Sequence, residues 1–421
     1  MTIQTPINAD PLYAELVTVA EKDGAASMLT VLAESLRKRK RWHALFDLRL
    51  MQARLAFGLS LVGDTTQLLP EMRQRLDERS LEACREVGWP LLEEGHVAAG
   101  WIYLRAAVEP AEIQEKLRLL AARVRQQALD APNADALLTD EKTAETVQEM
   151  INLALWEGVD PALGLSLLLE KNGTCNAITA YEQAVSRLPA TAQKPAASVI
   201  IDHLYHEVRE ALAADLGDRG HVELGTDSAV GHSLAQLLKV GTGLADDQST
   251  RALYVDVSHL QSVLRIARVC TDPKAIQNAW ELACYACCLP AEVVYPGEPP
   301  FENVGVASRY FFGAQLGHDR EQALAFFRRA AATARLEESG TLPADTLVLL
   351  LWRLGRPAEA LHAALQRPCD DAMPSTLQAT LSLPSLVELA HAGQAWQMLR
   401  EACCARGDEI TFAATLADEM K

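Results

Sequence analysis

The sequence predicts an all-α protein in which helical hairpins are interrupted by one irregular region near the middle, and three observations predict it. Aromatic residues make up only 5% of 421 residues while hydrophobic ones reach 49%. The core is therefore built chiefly from Ala and Leu, which suits helices packed closely on helices better than stacked sheets. Apolar residues also recur near a period of 3.6, as at Leu45, Leu48, Met51 and Leu55. Finally, short turns such as Leu91-Leu92-Glu93-Glu94-Gly95 separate successive periodic runs.

Charge and composition narrow the function classes. A net charge of −17 with a pI near 5.1 argues against broad nucleic-acid binding, which needs a basic surface to displace counterions. Met1 to Asp10 lacks the basic start and apolar run of a secretory signal, and no apolar stretch has the length of a membrane span. A cytoplasmic protein that makes no use of membrane is expected. The nine cysteines are odd in number and partly adjacent, as at Cys287-Cys288 and Cys403-Cys404, which suits buried free thiols better than a disulfide framework.

Between Pro11 and Gly63 the chain reads as helices broken at Asp23-Gly24 and restarted near Trp42. Arg37-Lys38-Arg39-Lys40-Arg41 falls at a helix C-terminus. Its charges complement the helix dipole there, a reading preferred to an acidic partner. From Leu81 to Gln127 the pattern is helix, turn, helix, with Gly100, Leu104 and Ala107 spaced for close packing.

The middle of the chain carries the chemistry-bearing side chains. Ala134 to Lys171 is largely helical and ends in Lys171-Asn172-Gly173-Thr174-Cys175. Cys175 there is either a nucleophile at a helix N-terminus or, the preferred reading, a packing residue. From Ala196 to Leu212 one helix face carries Ile200, Ile201, Leu204, Val208, Ala211 and Leu212, and the other Asp202, His203, His206, Glu207 and Glu210. His203 and Glu207, like His206 and Glu210, stand on adjacent turns and could share an ion.

The run His206-Glu207-Val208-Arg209-Glu210 resembles the zinc-protease motif H-E-x-x-H, departing from it where Glu210 replaces the second histidine. The resemblance implies His206 and Glu210 as ligands and Glu207 as general base. His259, near the start of a helix that Asp256 or Ser258 caps, is a possible further ligand for zinc, iron or manganese. The alternative is a solvated helix face. Between the two helices, 215–258 is a glycine-rich segment, either a functional loop or a pair of short helices. Cys284, Cys287 and Cys288 share one face and read as packing, with a redox role as the alternative. Four prolines from Leu289 to Val304 make a stiff connector.

The C-terminal part repeats itself. Leu354-Gly355-Arg356-Pro357-Ala358-Glu359-Ala360-Leu361 places a turn glycine before a small packing residue. Leu316-Gly317-His318-Asp319-Arg320-Glu321-Gln322-Ala323-Leu324 does the same with one extra residue, followed by Phe327 and Ala330. Ala323 and Ala360 lie close to one repeat length of about 34 residues apart. These segments resemble tetratricopeptide-like repeats in divergent form, with fainter echoes around Gly158 and Gly393. From Leu381 the tail reads as two more helices split by Ala405-Arg406-Gly407-Asp408.

The resemblance implies a right-handed α-α superhelix, or solenoid, whose concave surface holds a protein or peptide. The expected organisation is N-terminal hairpins over 1–130, a central region over 131–305 and repeat-like hairpins over 306–421, all in one continuous solenoid. The leading expectation is a scaffold or binding protein for a protein, peptide or small ligand. The alternative is a metal-dependent, hydrolase-like enzyme centred on His203, His206, Glu207 and Glu210 with His259.

Overall fold

Proline and side-chain caps set where many of the helices begin. In this computed structural model, residues 10–61, 68–130, 141–218, 232–242, 253–367 and 383–419 are described, and no strand occurs among them. The chain divides into two compact units, Met1–Asp160 and Pro161–Lys421. The division falls inside what the sequence groups as the central region.

The first unit holds α1 (Pro11–Lys38), α2 (Trp42–Ala56), α3 (Pro70–Glu93), α4 (Val97–Leu104), α5 (Pro110–Asp130) and α6 (Glu141–Ile151), the last continued by a π turn over Asn152–Trp156. Asp10 caps α1 by accepting from the Leu12 amide, and Gly24 breaks that helix with a φ of 84°. The break is where the sequence places it. Helix α1 packs on α2, α2 on α3, and α3 on α4, while α6 packs on both α4 and α5.

Leu29 and Ala33 of α1, Leu45 and Leu48 of α2, and Val87 and Leu91 of α3 form one buried cluster. Burying a side chain of this size contributes about 1.5–3 kcal/mol, which outweighs the polar contacts at the rim. Those rim contacts use up much of the basic run: Arg37 pairs with Glu86, Arg39 with Asp10 at 2.5 Å, and Lys40 with Glu94 at 3.1 Å. Arg49 also holds Glu86 at 2.7 Å. Hydrogen bonding from Arg49, with Arg37 beside it, holds the Glu86 carboxyl below the usual carboxylate range against the opposing effect of burial.

The second unit begins with α7 (Pro161–Ala180), continued by a π turn over Tyr181–Val185, then α8 (Ala190–Asp218), α9 (Leu234–Thr242) and α10 (Val257–Ile266). A 3-10 turn, Ala267–Val269, leads to α11 (Pro273–Cys288). The proline-rich connector carries one 3-10 turn, Ala291–Val293, and is otherwise non-helical. After it come α12 (Val304–Leu316), α13 (Arg320–Thr333), α14 (Leu342–Arg353), α15 (Pro357–Leu365), α16 (Leu386–Gly393), α17 (Trp396–Arg406) and α18 (Glu409–Glu419).

Local chemistry explains these boundaries. Asp256, Asp272 and Asn303 each accept a backbone N–H in the first turn of α10, α11 and α12, and Ser385 and Glu388 form a reciprocal capping box on α16. Gly317 and Gly355, at φ of 95° and 71°, take the left-handed conformation that ends α12 and α14 and turns the chain into α13 and α15. Ala323, Phe327 and Ala360 are fully buried in those hairpins. The tail has three helices where the sequence suggests two, because Gln394 adopts a left-handed φ of 49° and separates α16 from α17.

Helix α7 packs on α8, and α8 packs on α9, α10 and α11. From α11 onward each helix packs on its successor, and α12 also touches α14, α15 touches α17, and α16 touches α18. No helix among the described residues is long and apolar enough to cross a membrane. All described cysteines are free thiols.

Candidate functional site

Helix α8 has the two faces its sequence predicts. Ile200, Ile201, Leu204, Val208 and Leu212 are fully buried. One edge of the polar stripe is consumed by packing: Asn278 and Lys274 of α11 donate to the Asp202 carboxyl at 2.7 and 3.2 Å.

The proposed metal residues separate into pairs. His203 Nε2 lies 4.0 Å from a Glu207 carboxyl oxygen, and both side chains are close to half exposed. His206 Nδ1 stands 2.6 Å from the Asp202 carbonyl on its own helix, and its ring meets Tyr205 edge-on. Glu210 lies 3.6 Å from Arg209. His259 is partly exposed in the first turn of α10, beside the capping Asp256, whose carboxyl the Ser258 hydroxyl and amide hold below the usual carboxylate range. Among the described residues, no three His, Cys, Asp or Glu side chains form a group that could hold a metal ion. Helical spacing places each pair on one face but supplies no third ligand. His221, Glu223 and the rest of 219–231 and 243–252 lie outside the described residues.

The best-connected polar group near this helix is one the sequence did not single out. Glu281 of α11 is buried at 3% exposure. Its carboxyl accepts from the Tyr205 hydroxyl at 3.0 Å, from the Ala235 amide at 3.0 Å and from Gln277 at 2.8 Å. The Tyr205 hydroxyl in turn accepts from the Leu234 amide at 3.2 Å. The first two amides of α9 are thus satisfied by groups from α8 and α11. Glu281 breaks the otherwise apolar run Trp280, Leu282 and Ala283, and that interruption was the available signal.

Cys284 is unsuited to nucleophilic work. Burial pushes its thiol up to about 12, which keeps it protonated at neutral pH, whereas Cys287 is exposed rather than packed. Cys175 is exposed rather than packed, because the non-helical Gly173 turns the chain there.

Several clefts open among the described residues, and two of them bring charged and aromatic side chains together. In the first unit a cleft of about 410 Å³ is lined by Arg41, Trp42 and His43 at the start of α2, with Glu94, His96 and Ala99 at the α3–α4 turn. Trp42 reaches Glu94 with its indole N–H at 3.4 Å, and His43 lies 2.7 Å from the Tyr103 hydroxyl. In the second unit a cleft of about 180 Å³ lies between the π turn Tyr181–Val185, the Ala267–Val269 turn, Glu298 and Leu342.

Arg268 lines that second cleft at only 7% exposure, its guanidinium carbon 3.3 Å from the centre of the Phe301 ring. Its Nε–H is buried without a hydrogen-bond acceptor. Burial, reinforced by repulsion from Arg265, pulls its pKa down to about 9. The residue continues the apolar face formed by Leu260, Val263, Leu264 and Ala267, so a charge on an apolar stripe was its sequence signal. Compared with protein-family models, curated proteins and solved structures, the chain finds no match in any of the three.

Proposed function

We propose that the chain is a scaffold of divergent tetratricopeptide-like hairpins, stacked as a right-handed solenoid, that binds a protein or peptide segment. The observation that carries this reading is the packing order. From α11 onward each helix rests on its successor, and α12, α15 and α16 also touch the next helix but one. That is how hairpins unable to bury an apolar face alone are stabilised by stacking. The positive-φ turns at Gly317 and Gly355 and the buried Ala323 and Ala360 support it at the positions where the repeat demands them. Free thiols throughout the described cysteines suit a reducing, cytoplasmic setting.

The Trp42 cleft is the place proposed for the partner. Trp42 supplies a half-buried aromatic anchor and Arg41 an exposed cation beside it, which fits a segment pairing an apolar with an acidic side chain. Truncating an aromatic anchor typically costs about 2 kcal/mol or more of binding. Affinity capture with the Trp42→Ala, Arg41→Glu double variant is therefore expected to recover at least about tenfold less of any specific partner than the wild-type chain. Equal recovery by a correctly folded variant overturns the assignment of the cleft.

A further inference from the structure

A buried charge is ordinarily paired or hydrogen-bonded, because removing it from water is otherwise costly. Arg268 departs from this. No hydrogen bond or ion pair joins its guanidinium to a described residue. The groups that could have served it are engaged elsewhere or form no bond to it. Glu182 pairs with Arg265. The Gln193 side-chain carbonyl oxygen accepts from the Tyr181 hydroxyl at 3.4 Å. Glu298 lines the same cleft from an exposed position and attracts Arg268 electrostatically without forming an ion pair with it.

We propose that the missing acceptor is a ligand, and that this cleft binds a short-chain organic acid whose carboxylate docks on the edge of the Arg268 guanidinium. Phe301 covers one face of the guanidinium and fixes its plane. Stacking of this kind leaves the in-plane N–H groups free, and their fork matches the two oxygens of a carboxylate.

The rest of the cleft selects within the class of oxyanions. Its volume of about 180 Å³ has room for about six water-sized groups, a size that suits a small acid better than a nucleotide. Ile266, Val269 and Leu342 present hydrocarbon to the ligand, as a short acyl chain requires. Glu182 and Glu298 bring negative charge to the same cleft and disfavour a dianion such as phosphate. The π turn at Tyr181 displaces Tyr181 and Glu182 from regular helical register beside the arginine, and such turns are frequent at binding sites. This site is independent of the Trp42 cleft.

The test is calorimetric titration and thermal denaturation of the full chain with acetate, butyrate, pyruvate and inorganic phosphate. At least one monocarboxylate is expected to bind at one site per chain and raise the melting temperature, with phosphate at least tenfold weaker. Arg268→Met is expected to keep its helical content and lose at least tenfold in carboxylate affinity, while Arg328→Met, a surface arginine paired with Glu359 and outside the cleft, changes it less than threefold. Without added carboxylate, Arg268→Met is expected to melt at or above the wild-type temperature, since methionine fills the space without an unmatched charge. If that variant fails to fold, Arg268→Lys keeps the charge, loses the fork and reads the same loss of affinity. The proposal is overturned by the absence of carboxylate binding at millimolar concentration, by binding of phosphate alone, or by equal binding to wild type and variant.

Discussion

Replacing Glu281 by alanine is expected to destabilise the second unit by about 3–5 kcal/mol. The carboxyl accepts hydrogen bonds from Tyr205, Gln277 and the Ala235 amide, and at 3% exposure no bulk water is at hand to replace it. Truncation leaves these donors without an acceptor. It also frees the N-terminus of α9, held to α8 and α11 through the pair of amides that Tyr205 and Glu281 satisfy. Glu281→Gln keeps an acceptor oxygen and is expected to lose less than half as much. Urea unfolding followed by circular dichroism measures the loss, and hydrogen exchange over Leu234–Thr242 localises it. An alanine variant with the wild-type midpoint and unchanged protection of α9 contradicts this account.

Replacing Gly100 by valine is expected to destabilise the first unit by about 2–3 kcal/mol. Helices α3 and α4 meet where Gly88 and Gly100 face each other. A Cβ on Gly100 would lie 2.8 Å from the Gly88 carbonyl oxygen and 3.0 Å from the Leu92 amide nitrogen. Both are backbone atoms, so relief requires the helices to move apart. Leu92, Val97 and Leu104, now nearly or fully buried, would lose contact as they do. Ile102→Ala on the outer face of α4 is the control, since Ile102 is 63% exposed and its truncation is expected to stay within about 0.5 kcal/mol. A valine variant as stable as that control contradicts the close approach.

Much of the fold was legible because its determinants are local. A period of 3.6 identifies the buried stripe of α8 whatever it packs against, and Asp256, Gly24 and Gly317 act on residues within a turn of themselves. The polar chemistry was not legible for the opposite reason. Tyr205 and Glu281 are 76 residues apart, and Asp202 and Asn278 are equally distant. Sequence spacing along one helix can propose His203 with Glu207, but it cannot say which residues a second helix brings to them. The same applies to Arg268: its place on an apolar stripe was readable, whereas Phe301 beneath it and the engagement of Glu182 by Arg265 depend on tertiary packing. Cys175 shows the limit from another side, since the turn at Gly173 was foreseen and the direction in which it sends the thiol was not.

The central claim is that this chain binds another protein through the cleft at Trp42. Site-specific photocrosslinking in intact cells tests it most directly, with the photoreactive residue placed at His96, which is exposed and lines the cleft, or at Ile410 of α18, which is 85% exposed and distant from it in sequence. The account predicts a discrete crosslink to a different protein from position 96, lost on Trp42→Ala, and none from position 410. Crosslinks of equal yield from both positions, or none from position 96, contradict it.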